Sequence, residues 1–275
     1  MAPYRPYESK LGIVTGGSRG IGEAVVRRLA AKGCNVLVVY TSDASTGPTD
    51  ALIAELTAAH AVHMAAVQAD LQKPFCVDIL INNAGVASNE RLGTIAAAEF
   101  ERVYAVNVLA PLLLTQAVAP HLPHDRSGRI VSVSSVSSSI GYQSQSVYAG
   151  GKAALEAMTR VWSRELAERT TVNAVNPGPA WSDMYERVGP AFWDINQPYV
   201  DAAPLAAYHG QPAVLAMAGS DAHRFDALVR TAMNGRRPGF TAEIAGTIDM
   251  LCSEESGWTT GSVICANGGM KMSIA

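Results

Sequence analysis

The chain has 275 residues, of which 48% are hydrophobic and 16% charged, and its formal net charge is -3. This composition excludes a disordered or fibrous protein and is typical of a globular chain with a sizeable core. Because Lys and Arg are not in excess, we expect neither nucleic acid nor an anionic membrane as partner, and we expect a small-molecule substrate instead.

The N-terminal segment MAPYRPYESK carries charges and prolines where a secretory signal needs an apolar run. We also find no apolar run long enough to cross a bilayer, so we expect a cytoplasmic protein. The four cysteines show no CxxC spacing and are expected to be reduced. The pairs His60/His63 and His121/His124 lack a third ligand nearby, so no metal site is predicted.

Apolar runs rich in β-branched residues alternate along the chain with segments of helical spacing. The predicted strands are LGIVTG, CNVLVVY, HMAAVQA, DILINNAG, GRIVSVSS, TVNAVNPG and SVICANGG. The predicted helices cover residues 21–33, 49–60, 97–121, 146–168 and 241–256. This alternation predicts an α/β fold with a single doubly wound parallel sheet, a Rossmann fold, over residues 1–275 as one domain.

The first predicted turn between a strand and a helix has the sequence TGGSRGIG. Gly16, Gly20 and Gly22 lie where the chain must turn sharply and where a pyrophosphate approaches the backbone at the positive end of a helix. A glycine-rich turn also occurs in α/β proteins that bind no nucleotide, so both interpretations stay open for this turn alone.

Tyr148 and Lys152 are four residues apart near the start of a predicted helix, so they share a helix face. An ammonium group beside a phenol lowers the pKa of the phenol, which allows proton exchange near neutral pH. A lone pair of this kind is more often an exposed helix start. The serines at the end of GRIVSVSS favour the catalytic interpretation, because ligands of α/β sheets bind beyond the carboxyl ends of the strands.

Six features match, in order and approximate spacing, the classical short-chain dehydrogenases/reductases, and the chain resembles this family over nearly its whole length. They are TGGSRGIG, NNAG at 82–85, Asn107, Ser135, the pair Tyr148 and Lys152, and NPGP from Asn176. The resemblance implies an NADP(H)-dependent oxidoreductase in which Tyr148 gives its proton to a developing alkoxide and Ser135 hydrogen-bonds the same oxygen.

The resemblance implies two supporting catalytic residues. Lys152 would hold the nicotinamide ribose and tune the pKa of Tyr148. Asn107 would hold a water that links Lys152 to solvent. The alternative for Asn107 is a core asparagine that kinks its helix.

Cofactor-binding residues are also assigned by the resemblance. They are Gly16, Ser18, Arg19, Gly20, Ile21, Gly22, Tyr40, Thr41, Ser42, Asp70, Asn83, Ala84, Gly85, Tyr148, Lys152, Pro177, Gly178 and Ser182. We expect NADP(H) rather than NAD, because Tyr40, Thr41 and Ser42 stand where an NAD-dependent enzyme usually has an acidic residue. Arg19 can supply a positive charge to the 2'-phosphate. Asp43 lies slightly too far along the chain to be the discriminating acid, although a shifted register would change this.

Two segments depart from the family's pattern. Only LQKPFCV lies between Asp70 and Asp78, where the family has a helix and where a parallel crossover usually needs about ten to twelve residues. Such an extended segment reaches at most about 25 Å, so a taut, shortened connection is predicted after the third strand. Conversely, residues 206–235 look like an insertion within a substrate lid at 181–240.

The predicted lid is rich in aromatic residues, and the loop after Ser135 adds two further candidates for the pocket wall. These residues are Trp181, Tyr185, Phe192, Trp193 and Tyr199, with Tyr142 and Gln143 in the loop. They suggest reduction of a ketone on a bulky, aromatic or polyketide-like molecule of secondary metabolism. Alternatively, the rings pack under the lid or between subunits.

Two other functions stay open for this sequence. One is an imine reductase, and the other is a nucleotide-binding sensor, scaffold or non-redox cyclase. The resemblance also implies a homodimer or homotetramer, in which the helices around Asn107 and Tyr148 form the first interface.

Overall fold

The computed structural model describes residues 5–8, 11–68, 77–182, 185–186 and 189–272. The chain divides into two compact units, Met1–Phe75 and Cys76–Ala275. Asp70 and most of the predicted shortened connection lie outside the described residues. That residues 1–275 form one domain stays a prediction.

The first unit is a parallel sheet with two helices. Its strands follow the order β1–β2–β3 and are Leu11–Thr15, Asn35–Tyr40 and Met64–Gln68. Its helices are α1, Gly20–Ala31, and α2, Thr46–His60. Val26 of α1 and Leu52 of α2 pack with Val36 and Val38 of β2 in one apolar cluster, which is how helices cover a parallel sheet.

The second unit contains a parallel sheet of four strands and a separate parallel pair. The four strands are β4, Ile79–Asn82, β5, Gly128–Val133, β6, Thr170–Pro177, and β9, Val263–Ala266, in that order across the sheet. The pair is β7, Ala180–Trp181, with β8, Gly239–Phe240. Parallel sheets flanked by helices confirm the predicted α/β, Rossmann-like class.

Eight α-helices of the second unit are described. They are α3, Ala97–Tyr104, α4, Ala110–Val118, α5, Ser137–Ile140, α6, Ser146–Glu165, α7, Pro190–Asp201, α8, Pro212–Met217, α9, Ala222–Ala232, and α10, Thr241–Cys252. Leu155 and Trp162 of α6 pack with Ile130 of β5 and Val172 of β6. This packing holds α6 against the sheet.

The helical stretch Ala97–His121 corrects one expectation from the sequence. It has 25 residues and a mean hydropathy of 1.5, so by length and composition alone it is apolar enough to cross a membrane. The helix of a soluble core meets the same criterion, which makes this weak evidence for a span. The stretch is not one regular helix, because a π-helical turn over Ala105–Leu109 separates α3 from α4.

The predicted lid and insertion pack around a cluster of aromatic and apolar side chains, which we call the aromatic cap. Its buried members are Trp193, Tyr208, Phe225, Val229, Met233 and Phe240. The Phe225 ring lies 5.2 Å from that of Trp181 and 4.9 Å from that of Phe240, measured between centroids. Residues 183–184 and 187–188 of the predicted lid lie outside the described part of the chain.

Candidate active site

A cavity of about 400 Å³ lies in the second unit, beyond the carboxyl ends of β4, β5 and β6. Eight of the predicted site residues line it: Asn83, Gly85, Ser135, Tyr148, Lys152, Pro177, Gly178 and Ser182. Ala84 and Asn107 are not among its lining residues. The parallel strands place these side chains together because each strand ends at the same edge of the sheet.

Ser135 and Tyr148 both line this cavity. Ser135 Oγ donates to Ser137 Oγ over 3.1 Å and accepts from the backbone N–H of Ser137 over 3.2 Å. Burial raises the pKa of Tyr148, and the Ser135 hydroxyl acts in the opposite direction. This direction is the reverse of the lowered pKa expected from the sequence, because desolvation of the phenol outweighs the effect of Ser135.

Lys152 lies one turn after Tyr148 on α6, with its Nζ atom 5.8 Å from the centroid of the Tyr148 ring. The Nζ atom donates to the carbonyl oxygen of Val133, at the end of β5, over 2.7 Å. Lys152 is only 4% exposed. Burial lowers the pKa of Lys152 to about 8, with the charge of Glu156 acting in the opposite direction.

Glu156 is a buried carboxylate that the sequence analysis missed. Its Oε1 atom accepts hydrogen bonds from Ser134 Oγ over 2.6 Å, Ser138 Oγ over 2.7 Å and Asn176 Nδ2 over 3.1 Å. Glu156 thus links α6 to the loop that carries Ser135 and to the end of β6. Its position four residues after Lys152, on the same helix face, was the available signal.

Asn107 lies in the π-helical turn between α3 and α4 and is 1% exposed. Its Oδ1 atom accepts from the N–H of Val86 and its Nδ2 atom donates to the carbonyl oxygen of Val86, each over 2.9 Å. A Cβ on Gly85 would lie 3.3 Å from Lys152 Nζ and 3.4 Å from Asn107 Oδ1. Asn107 therefore holds the segment after β4 beside Lys152, and the water relay stays a prediction.

The glycine turn of the first unit fits a pyrophosphate. Gly16 and Gly20 have φ angles of 62° and 58°, in the left-handed region that favours glycine, and a Cβ on either would point into open space. At Gly22 a Cβ would clash with the carbonyl oxygen of Gly16, so only glycine allows this close approach. Helix α1 begins at Gly20, and no side chain caps its first N–H groups. Backbone N–H groups at the start of α1 are therefore available to bind an anion such as the pyrophosphate of a dinucleotide.

The remaining predicted residues of the first unit differ in accessibility. Ser18, Arg19, Thr41 and Ser42 are not buried, and Ile21 is the second residue of α1. Tyr40 is buried and donates its hydroxyl to Thr46 Oγ1 over 3.2 Å, which leaves little of its side chain for a cofactor.

The pocket wall combines aromatic rings with amide side chains that sequence reasoning missed. Aromatic residues in the wall are Tyr142, Tyr185, Phe192 and Trp193, and amide residues are Gln145, Asn196 and Gln197. The predicted wall residue Gln143 is exposed and lies outside this lining. Trp181 packs against Phe225, and Tyr199 packs against Tyr142. Some of the predicted rings therefore line the cavity, whereas Trp181 and Tyr199 pack behind the lining. No group of three or more His, Cys, Asp or Glu side chains that could hold a metal ion occurs among the described residues.

Comparison with known proteins places the whole chain in one group. The family model described as short chain dehydrogenase matches residues 10–191. L-xylo-3-hexulose reductase of Hypocrea jecorina (strain QM6a) is 65% identical, with 98% of this chain and 99% of that protein covered. L-xylulose reductase of Aspergillus niger (strain ATCC 1015) is 48% identical, with 97% and 99% covered.

Solved structures agree with these relatives. A blue fluorescent protein from a metagenomic library, in complex with NADPH, is 30% identical and superimposes with a TM-score of 0.57, covering 96% of this chain and 99% of that one. The alignment with the Hypocrea protein spans 302 positions, more than the 275 residues of this chain, so that relative contains residues that this chain lacks.

Proposed function

The chain belongs to the short-chain dehydrogenase/reductase family, and from this premise we propose that it reduces the ketone group of a ketose with NADPH. It is an oxidoreductase that acts on a carbonyl group and uses a nicotinamide cofactor. The observation that carries the proposal is the placement of Ser135, Tyr148 and Lys152 around one cavity. The similar proteins from Hypocrea and Aspergillus, both named as reductases of ketoses, support the choice of substrate.

Tyr148 is the proton donor in this proposal. Because burial raises its pKa, its phenol keeps the proton at neutral pH and can pass it to the carbonyl oxygen during reduction. Ser135 hydrogen-bonds the same oxygen and stabilises its developing negative charge. The Lys152 ammonium group then stabilises the phenolate that Tyr148 becomes. When bound, the nicotinamide supplies the hydride to the carbonyl carbon.

NADPH is preferred to NADH in the proposal because Tyr40, Thr41 and Ser42, at the end of β2, carry no carboxylate. Thr41 and Ser42 are exposed there, and Asp43, the first acidic residue beyond them, accepts a hydrogen bond from Gln68 Nε2 over 2.7 Å at its Oδ1 atom. Arg19 is exposed in the glycine turn and supplies a positive charge. The similar structure that contains NADPH agrees with this choice.

A bulky aromatic or polyketide-like ketone is the second candidate substrate. With such a substrate the enzyme would act in secondary metabolism. The aromatic wall residues Tyr142, Tyr185 and Phe192 favour it. The names of the two relatives with the highest identity given above favour the ketose.

We also propose that the chain is a homodimer or homotetramer in the cytoplasm. Large apolar side chains are about half exposed on neighbouring helices: Leu113 and Leu114 on α4 and Val161 on α6. A second copy of the chain would cover them, as symmetric oligomers do. Sedimentation of the wild type and of Leu113→Glu tests this, because the variant should shift toward the monomer.

The test of the proposed reaction is the oxidation of NADPH by the purified protein with L-xylulose or with an aromatic ketone. Tyr148→Phe should lower kcat about 1,000-fold while NADPH binding is retained, because only the proton donor is removed. Tyr104→Phe is the matched control, since Tyr104 lies on α3 and does not line the cavity. Equal turnover by wild type and Tyr148→Phe would contradict the mechanism. If the protein turned over the aromatic ketone and not L-xylulose, the aromatic ketone would replace the ketose as the proposed substrate.

A further inference from the structure

Two hydrogen bonds join the hydroxyl group of Ser135 to Ser137, a residue that has no part in the mechanism described above. Ser135 Oγ donates to Ser137 Oγ over 3.1 Å, and it accepts from the backbone N–H of Ser137 over 3.2 Å. Ser137 is the first residue of α5 and is 4% exposed, so bulk solvent competes little for these bonds. Ser137 therefore restricts the direction in which the Ser135 hydroxyl points.

The backbone around Ser135 is held separately, by the neighbouring strand. The N–H of Ser134 donates to the carbonyl oxygen of Val175 over 2.8 Å. The N–H of Val136 donates to the carbonyl oxygen of Pro177, also over 2.8 Å. These bonds fix the main chain on both sides of Ser135, so its side-chain torsions are the freedom that the contact with α5 restricts.

The hydroxyl hydrogen of Ser135 is directed at Ser137 in this structure. In the proposed reaction the same hydrogen must bond the carbonyl oxygen on which negative charge develops. A serine hydroxyl carries a single hydrogen, so this hydrogen leaves Ser137 Oγ when the substrate is reduced. The two oxygen atoms can stay in place, because rotation about the Cβ–Oγ bond of Ser135 is enough to redirect the hydrogen.

The hydroxyl hydrogen of Ser137 is available to replace it. Among the residues that the structure describes, none accepts a hydrogen bond from the Ser137 hydroxyl. Once Ser135 donates to the substrate, Ser137 can donate to Ser135 Oγ over the same 3.1 Å. The two lone pairs of Ser135 Oγ then accept from the hydroxyl and the N–H of Ser137. Hydrogen bonds in series polarise one another, so Ser135 becomes a stronger donor.

We propose that Ser137 is a positioning residue for the reduction, which reverses the direction of its hydrogen bond with Ser135 and so strengthens the bond from Ser135 to the reacting oxygen. This inference rests on the proposed function, because it concerns the oxygen that becomes charged in that reaction. Ser137 acts through Ser135 and does not touch the substrate. The effect is greatest where the negative charge is greatest, in the transition state, so it acts on kcat rather than on KM.

The first measurement is the NADPH-dependent turnover of Ser137→Ala, with L-xylulose or the aromatic ketone, whichever the wild type reduces. The variant should lower kcat about tenfold and leave KM nearly unchanged. Ser139→Ala is the matched control, because Ser139 lies on the same short helix, donates to the carbonyl oxygen of Val136 over 3.4 Å and does not line the cavity. It loses a hydroxyl of the same kind and should keep the wild-type kcat.

The second measurement places the same substitution in a chain without the Ser135 hydroxyl. Ser135→Ala alone should lower kcat about 100-fold, because a donor to the charged oxygen is lost. If Ser137 acts through Ser135, adding Ser137→Ala to this variant should change kcat less than about twofold. A purely structural role of Ser137 in the loop would lower kcat by the same factor in both backgrounds.

The outcomes separate this inference from the proposed function. If the wild type reduces neither ketone with NADPH, the proposed function is wrong. If the wild type is active and Ser137→Ala keeps its kcat, only the present inference is overturned. An equal fall of kcat in Ser139→Ala, or an undiminished fall in the Ser135→Ala background, overturns it as well. A fall of kcat in Ser137→Ala that needs the Ser135 hydroxyl supports it.

Discussion

The two sides of the cavity satisfy their polar groups in opposite ways. On one side Ser134, Ser135, Tyr148, Lys152 and Glu156, which we call the catalytic floor, bond to one another and to the backbone. On the other side the aromatic cap packs ring against ring and leaves polar atoms of α7 without partners. The floor is therefore held by hydrogen bonds, whereas the cap is held by the packing of rings.

Removing the central ring of the cap should have the largest effect on stability. Phe225 is 0% exposed, so Phe225→Ala should lower the free energy of unfolding by about 4 kcal/mol through a cavity in the cap. The expected kinetic effect is a raised KM with kcat nearly retained, because the floor is intact. Denaturant unfolding and steady-state kinetics measure both. Phe225→Leu keeps most of the apolar volume and should lose about 1 kcal/mol. A loss of kcat with KM unchanged would contradict the view that the cap acts on KM and the floor on kcat.

Removing the carboxylate of the floor should act on the opposite kinetic constant. Glu156→Leu removes the acceptor that Ser134, Ser138 and Asn176 share, which should cost about 3 kcal/mol. Asn176 Nδ2 keeps the carbonyl oxygen of Ser135 as an acceptor and Ser134 Oγ keeps that of Lys152. The loop that carries Ser135 then loses its anchor, so kcat should fall while KM changes little. Glu156→Gln is the matched control, since it keeps an acceptor oxygen and should recover most of the stability. If Glu156→Leu unfolds at the same denaturant concentration as the wild type, the anchoring role is refuted.

The buried charge of Lys152, which the proposed mechanism uses, should lower the free energy of unfolding. Its pKa of about 8, below the value of 10.5 for a free lysine side chain, means that its charge disfavours the folded state by about 3 kcal/mol below pH 8. Lys152→Met removes this cost and loses about 1 kcal/mol of hydrogen bonding to Val133, for a net gain of about 2 kcal/mol near neutral pH.

The stability that the charge of Lys152 removes should be regained at high pH. Between about pH 8 and pH 10.5 the unfolded chain binds the proton that the folded chain has lost, so the wild type gains stability as pH rises through this window. The advantage of Lys152→Met should therefore shrink and disappear across it. Denaturant unfolding of both proteins at several pH values checks this. A constant advantage would show that the pKa of Lys152 is not lowered. Activity of the variant should be lost at every pH.

The smallest effect is expected at the surface of the cap. Arg224 on α9 donates to both carboxylate oxygens of Glu186, over 2.8 and 3.0 Å, but its side chain is 57% exposed. Solvent screens such pairs, so Arg224→Ala should cost less than about 1 kcal/mol. A double-mutant cycle with Glu186→Gln isolates the coupling energy. A coupling above about 2 kcal/mol would mean that ion pairing, rather than ring packing, holds the cap together.

Local patterns made much of the fold and the floor predictable. Alternating apolar runs and helical spacing located seven of the nine described strands and six of the ten described α-helices, because those periods depend on neighbours in sequence. The spacing of Ser135, Tyr148 and Lys152 likewise predicted one cluster, which the structure assembles. The π-helical turn at Ala105–Leu109 was missed, since its residues read as ordinary helix.

Contacts between distant residues explain what was not predictable. A glutamate on a helix usually reads as a solvated charge, and Glu156 differs only because Ser134, Ser138 and Asn176 fold onto it. The amide of Gln145 is oriented by Asn89, which is 56 residues away in sequence.

The sequence by itself determined the α/β class, the glycine turn and the grouping of Ser135, Tyr148 and Lys152, because these follow from residue type and short-range spacing. Only the tertiary structure decided the direction of the Tyr148 pKa shift and the hydrogen bonds that Glu156 accepts. Burial and hydrogen-bond partnership are properties of the packed chain, and no local pattern specifies which side chains meet there.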